Sequence, residues 1–142
     1  MTRILATVAT LLVAVLLGAC GGGGDGGKGE GLRGGEPCAP PPAPVADPAF
    51  PTPFPAIDDV TWTASNAAGP SRVVNGYTSD ALDDLYKEMK TKFAAGGYSV
   101  TKSEKDPHDA EVNFSSAQNT GQVRLGEECQ GRRSVTVTIR PK

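Results

Sequence analysis

Glycine and proline are unevenly placed in this chain, and their placement limits what can fold. Of 18 glycines, ten fall within residues 21–35; of 12 prolines, nine fall within residues 37–55. A segment of that composition carries too few apolar side chains to offset the conformational entropy lost on ordering. The foldable part of the 142 residues is therefore expected to be residues 56–142. A formal net charge of −2 and a pI near 5.4 argue against a nucleic-acid partner.

Residues 1–20 read as a targeting segment. Arg3 supplies a short positive region, and residues 4–17 are apolar except for Thr7 and Thr10. An apolar run of that length extends about 21 Å as a helix, against a hydrocarbon core of about 30 Å. It is short for a permanent span, which is the alternative, and it ends in small residues as a cleaved signal does. Leu17-Gly18-Ala19-Cys20 resembles the lipobox of bacterial lipoproteins: a branched apolar residue, two small residues, then cysteine.

That resemblance covers the first 20 residues only, and the remainder of the chain resembles no family. It implies that residues 1–19 are removed and that the Cys20 sulfur carries a diacylglyceryl group, so that Cys20 becomes the first residue of the mature protein. Two acyl chains suffice for stable anchoring, at roughly 0.8 kcal/mol per buried CH₂. Gly21, not Asp, follows the cysteine. The resemblance then implies the outer membrane in a Gram-negative cell and the outer face of the cell membrane in a Gram-positive one.

Between Cys20 and residue 55 the composition implies a disordered linker in two parts. The glycine-rich part is a flexible coil with an r.m.s. span on the order of 20–25 Å. The proline-rich part favours the extended polyproline conformation at about 3.1 Å per residue, which reads as a semi-rigid stalk. Phe50 and Phe54 are its candidates for packing on the domain edge. No strand precedes the glycine run and no Lys-Ser or Lys-Thr follows it, so it is not a phosphate loop. Pro40-Pro41-Pro42 reads as a spacer before a ligand for a proline-recognising module.

From Ile57 onward the patterning becomes regular. Val60, Trp62 and Ala64 alternate with Thr61, Thr63 and Ser65, giving a half-buried strand. Asn66-Ala67-Ala68-Gly69-Pro70 is a turn and residues 72–77 a second strand. A helix is expected over residues 80–95, where Leu82, Leu85, Tyr86, Met89 and Phe93 fall on one face. Thr78 or Ser79 would cap it, Gly96 and Gly97 would end it, and Asp83–Lys87 and Glu88–Lys92 would pair at i,i+4. Strands follow at residues 98–102, 110–115, 122–125 and 134–140. The expected class is α+β in the order ββαββββ, with one amphipathic helix packed on a mostly antiparallel sheet.

With Cys20 assigned to lipid, Cys38 and Cys129 remain as an even pair in an oxidising compartment, and a disulfide between them is expected. Two free thiols or an intermolecular bond are the alternatives.

Chemistry-bearing patterns are few. His108, the sole histidine, sits in Asp106-Pro107-His108-Asp109, a sequence that suits a turn between strands better than a metal site. No G-x-S-x-G elbow is present. Asn113-Phe114-Ser115 matches a glycosylation sequon but lies in an expected strand of a bacterial chain. Glu127-Glu128 and Arg132-Arg133 suit cross-strand ion pairs or a small contact patch. No catalytic residue, metal ligand or cofactor is assigned. The outward strand positions Thr61, Thr63, Ser99, Thr101, Glu111, Asn113, Arg124, Thr136, Thr138 and Arg140 are polar and hydroxyl-rich. Left uncovered, that face is either plain solvent-facing sheet or a platform for a partner, and Thr61, Thr63, Thr101, Asn113, Arg124, Thr136 and Thr138 are its candidate interaction residues.

The expected protein is thus a non-enzymatic, lipid-anchored envelope protein. Its small domain would bind an envelope protein or cell-wall partner, with the membrane as its other partner through Cys20. A structural surface module is the alternative, and a hydrolase or metal-dependent enzyme lacks a residue cluster to support it.

Overall fold

A computed structural model describes residues 35–142. The signal segment, Cys20 and most of the glycine-rich segment lie outside the described residues. Seven elements run in the order β1 (Thr61–Ala68), β2 (Ser71–Thr78), α1 (Leu82–Ala95), β3 (Ser99–Lys105), β4 (Asp109–Ser115), β5 (Asn119–Cys129) and β6 (Arg132–Pro141). The strands form one sheet ordered β1-β2-β6-β5-β4-β3, with every neighbouring pair antiparallel. The class is α+β.

Four reversals separate β2 from β3 in that order, so these two strands run parallel. A parallel return needs a long crossover, which is why the helix falls between them and not between two hairpin strands. Helix α1 lies against β3, β4 and β5. Its buried side chains are Leu82, Leu85, Met89 and Phe93, while Tyr86 sits at the margin of the core and donates its hydroxyl to Ser103 Oγ at 3.0 Å.

Both helix ends are set locally. At the C-terminus Gly97 takes φ +81°, the left-handed conformation glycine adopts without cost. Tyr98 N donates to Phe93 O at 2.9 Å and Gly97 N to Ala94 O at 3.3 Å, the paired bonds of a Schellman motif. The Tyr98 and Phe93 rings meet edge to face at 5.6 Å, supplying the apolar contact that accompanies it. At the N-terminus the expectation fails: the cap is Ala81, without a side-chain hydrogen bond. Thr78 Oγ1 accepts from Asp80 N instead, shaping the turn before the helix. Asp83 does not pair with Lys87 either; it accepts a hydrogen bond from Lys105 of β3 at 2.6 Å, while Lys87 approaches Asp84 at 3.8 Å. The Glu88–Lys92 pair forms at 3.0 Å.

The helix-facing side of the sheet is a regular apolar ladder. Register places Val74, Val137, Val123 and Val112 side by side across four strands, and all four are fully buried. The adjoining row runs Ile139, Gly121 and Phe114. A Cβ on Gly121 would lie 2.6 Å from the Phe114 ring and 2.2 Å from Thr138 O, so the missing side chain is what admits the ring.

Two β-bulges break the simple alternation. Between Trp62 and Ala64 the register with β2 shifts, so that Trp62, Ser65 and Ala67 share the core side and Ala64 turns away from it. The expected inward place for Ala64 is thus overturned, because one extra residue at Thr63 inverts the pattern after it. A second bulge between Val100 and Lys102 puts Ser103 and Lys105 on the helix side of β3, where they meet Tyr86 and Asp83.

The proline-rich segment is laid along the domain. Val45 N donates to Trp62 O at 2.8 Å, Ser65 Oγ to Pro48 O at 2.6 Å, and Tyr98 Oη to Pro53 O at 2.7 Å. Phe50 stacks on Phe54 at 4.5 Å and meets Trp62 edge-on at 5.0 Å; Phe54 touches the rings of Phe93, Tyr98 and Phe114. Prolines suit this path beside β1, since they offer no backbone N–H and an edge strand with free donors would invite pairing with another chain. Cys38 and Cys129 form a disulfide across a sequence separation of 91.

Candidate functional site

Helix α1, with Phe50 and Phe54 of the strap, lies on one side of the sheet. On the other, the start of the strap meets the β5–β6 end, where Arg132, lying over Tyr77, donates to Ala39 O. Among the described residues no helix or strand covers the rest. The register arranges that uncovered face in rows. One row runs Asn66, Val73, Thr138, Gln122, Asn113 and Lys102 from β1 to β3; the next runs Ala64, Asn75, Thr136, Arg124, Glu111 and Glu104. Alternation along β4, β5 and β6 produces this arrangement directly, because the buried residues of those strands fall only at alternate positions.

Of the seven expected face residues, Thr61, Asn113, Arg124, Thr136 and Thr138 lie on this side of the sheet. Thr63 and Thr101 do not join the ladder, for each is the extra residue of a bulge. Thr63 turns its hydroxyl back to Asn75 O at 3.3 Å. Thr101 stays exposed on the edge strand. Glu111, an expected outward position, lies on the same face. Strict alternation overlooks Asn75, Gln122 and Ser134, which the register adds to it, and all but Asn75 occupy alternate positions in strands whose inward residues are plainly apolar.

Side chains on the face bind one another in short chains. Thr136 Oγ1 donates to Asn75 Oδ1 at 3.0 Å, Asn113 Nδ2 to Glu111 Oε1 at 2.6 Å, and Gln122 Nε2 approaches Asn113 Oδ1 at 3.4 Å. Lys102 pairs with Glu104 at 2.9 Å, and that hydrogen bond and charge raise the ammonium above its ordinary range. Arg124, although opposite Glu111 in register, makes no ion pair among the described residues and is exposed.

Two shallow depressions mark the face. One, of about 300 Å³, is lined by Asp109, Glu111, Arg124, Gly126, Ser134 and Thr136. Gly126 creates part of it, because a side chain there would meet Ser134 Oγ. The other, of about 240 Å³, lies between Asn113, Thr120, Gln122, Thr138 and Arg140. Hydroxyls, amides, carboxylates and two guanidinium groups together make a surface of alternating donors and acceptors, suited to a polar partner laid flat across the strands.

The other candidate groups lie elsewhere. His108 occupies the β3–β4 turn, where its Nδ1 lies 2.8 Å from Glu127 Oε2. Arg132 makes a two-pronged contact with Glu128, Nε at 3.1 Å and Nη2 at 3.0 Å, and lies over the Tyr77 ring. Glu127 lies 3.9 Å from Arg133, so the four charges flanking the β5–β6 turn are cross-strand pairs. Among the described residues no three His, Cys, Asp or Glu side chains come together to hold a metal ion, and no helix is long and apolar enough to cross a membrane. Comparison of the chain with protein-family models, curated proteins and solved structures yields no match.

Proposed function

We propose that this chain is a lipid-anchored, extracytoplasmic bacterial lipoprotein whose small α+β domain is a non-enzymatic interaction module. The anchor is the thioether-linked lipid on Cys20, and the module presents the uncovered face of the sheet to an envelope protein or cell-wall partner. A six-stranded sheet whose one side carries the helix, and whose other side bears no helix or strand among the described residues, is the observation that carries the interaction reading. The Leu17-Gly18-Ala19-Cys20 sequence supports the anchor, and the Cys38–Cys129 bridge suits an oxidising compartment.

The polar chemistry of the face fits a partner that is itself polar. Flat sheets of hydroxyl and amide side chains bind through many modest hydrogen bonds, each net about 0.5–1.5 kcal/mol, and not through one deep pocket. Arg124 and Arg140 stand on this face beside Glu111 and Glu104, so it offers both signs of charge to a polar partner.

The anchor is tested by metabolic labelling with a fatty-acid analogue: label is expected on the native protein and absent from Cys20→Ala. Persistence of label in that variant rejects lipidation at Cys20. The module is tested by crosslinking in native cells followed by mass spectrometry, with crosslinks expected on β5 and β6 from the uncovered side. Crosslinks confined to the helix side would reject the assignment of this face.

A further inference from the structure

The disulfide fixes where the chain enters the domain. Beside Cys38–Cys129, Gln130 N donates to Glu36 O at 2.8 Å and Arg132 Nη1 to Ala39 O at 2.9 Å. Three attachments within four residues therefore bind the incoming chain to the β5–β6 turn. The same end of the sheet carries the β3–β4 turn, where Glu127 N donates to His108 O at 2.8 Å. It also carries the start of the helical crossover, held by Arg133 Nη1 donating to Ser79 O at 3.3 Å. The opposite end carries the β1–β2 turn at Gly69-Pro70, the β4–β5 turn and the C-terminus, where Lys142 N donates to Gln118 O. At about 3.3 Å per residue, the ten residues of β6 separate these two ends by roughly 33 Å.

We infer that the domain stands on the membrane by its β5–β6 end, with its strands directed away from the lipid, and that the Cys38–Cys129 bridge sets both this orientation and the reach. The inference rests on the anchor at Cys20. Cys38 stands 18 positions after Cys20 and Pro55 stands 35 after it, so attachment at Cys38 nearly halves the number of residues between anchor and domain. A stalk free to residue 55 would add tens of ångströms of extended proline-rich chain. The bridge removes that length, keeping the domain near the headgroups and turning the uncovered face sideways to the membrane plane, where it meets partners standing beside it.

Without the bridge, the chain before the Val45 N to Trp62 O bond at the β1 edge is held to the β5–β6 turn only by the hydrogen bonds from Gln130 N to Glu36 O and from Arg132 Nη1 to Ala39 O, which then compete with water. Opening the disulfide lets the chain between residues 38 and 45 leave the body, lengthening the tether by about 20 Å of extended chain and moving its point of entry from the turn to a lateral edge. Both the distance and the orientation then relax.

Trp62, the sole tryptophan, lies toward the β5–β6 end of the sheet, and Gln118 lies in the turn at the opposite end. The acylated full-length protein is bound to vesicles carrying an energy-accepting dansyl headgroup, once with its native tryptophan and once as W62F/Q118W. Transfer to the headgroup is expected to be severalfold stronger from Trp62 than from the W62F/Q118W donor, and C38S/C129S is expected to lower transfer from Trp62 and reduce the contrast between the two positions. Equal transfer from the two bridged proteins, or stronger transfer from W62F/Q118W, overturns the orientation even where C38S/C129S does not fold. Flotation with the vesicles separates the two readings. A native chain that fails to float rejects the anchor and the orientation with it, whereas a chain that floats with equal transfer rejects the orientation alone.

Discussion

Single residues carry two sharp consequences. Asp83 accepts a hydrogen bond from Lys105, and that bond together with the ammonium charge holds its carboxyl below the ordinary aspartate range. A carboxyl with a lowered folded-state pKa contributes stability that is present above its ordinary value of about 3.9 and lost as pH falls through the folded value. Lys105 is raised by the same partner, so its share is present below the ordinary lysine value and lost as pH rises through the folded one. In an NMR titration Asp83 should protonate at lower pH than a free aspartate, and Lys105→Met should move its midpoint upward. An ordinary midpoint in the native protein would mean the helix is not joined to β3 by this pair. Gly121 is the other case. Gly121→Ala places a carbon against the Thr138 carbonyl and the Phe114 ring, one of which is backbone and cannot step aside. The expected cost is about 1–3 kcal/mol in urea unfolding, with Phe114→Leu in the same chain relieving only the part owed to the ring.

At the scale of elements, the strap of residues 36–55 is held by two independent means. Closing a loop across a separation of 91 residues stabilises by about 4–5 kcal/mol on the loop-entropy account. Phe54, touching three buried rings, should cost about 2–4 kcal/mol on replacement by alanine. Limited proteolysis separates the two contributions: C38S/C129S should open the chain to cleavage before Val45 while residues 45–55 stay protected, and adding Phe54→Ala should expose those as well. Cleavage across the whole strap in C38S/C129S alone would show that the disulfide, not the aromatic packing, holds it.

The sequence makes part of this legible. Phe50 and Phe54 stand out as large apolar groups among prolines, and the helix follows from Leu82, Leu85, Met89 and Phe93. The strap's route does not, since it depends on Trp62 O, Ser65 Oγ and Tyr98 Oη, which meet it only after the sheet has formed. Bulges at Thr63 and Thr101 were equally hidden: one inserted residue inverts the faces beyond it while leaving composition untouched. Hence alternation alone groups Thr136, Thr138, Arg124 and Asn113 on one face, while the bulges take Thr63 and Thr101 out of its ladder.

For the whole molecule, the asymmetry of the sheet decides what can be altered without unfolding it. All large buried side chains lie on the helix side, so substitutions on the other face remove little apolar burial. Arg124→Ala with Thr138→Lys changes the charge and shape of both depressions while leaving the valine ladder untouched. Exposed strand substitutions of this kind shift stability by about 1 kcal/mol or less, so the melting temperature should move by only a few degrees. Crosslinks to a partner, if the face is the binding surface, should nevertheless disappear. Their persistence at native yield in a folded double variant would make this side of the sheet plain solvent-facing surface. The same double variant should leave fatty-acid labelling at Cys20 unchanged, because anchor and face lie on different parts of the chain. Loss of both together would point to failed export or folding, which the melting curve identifies.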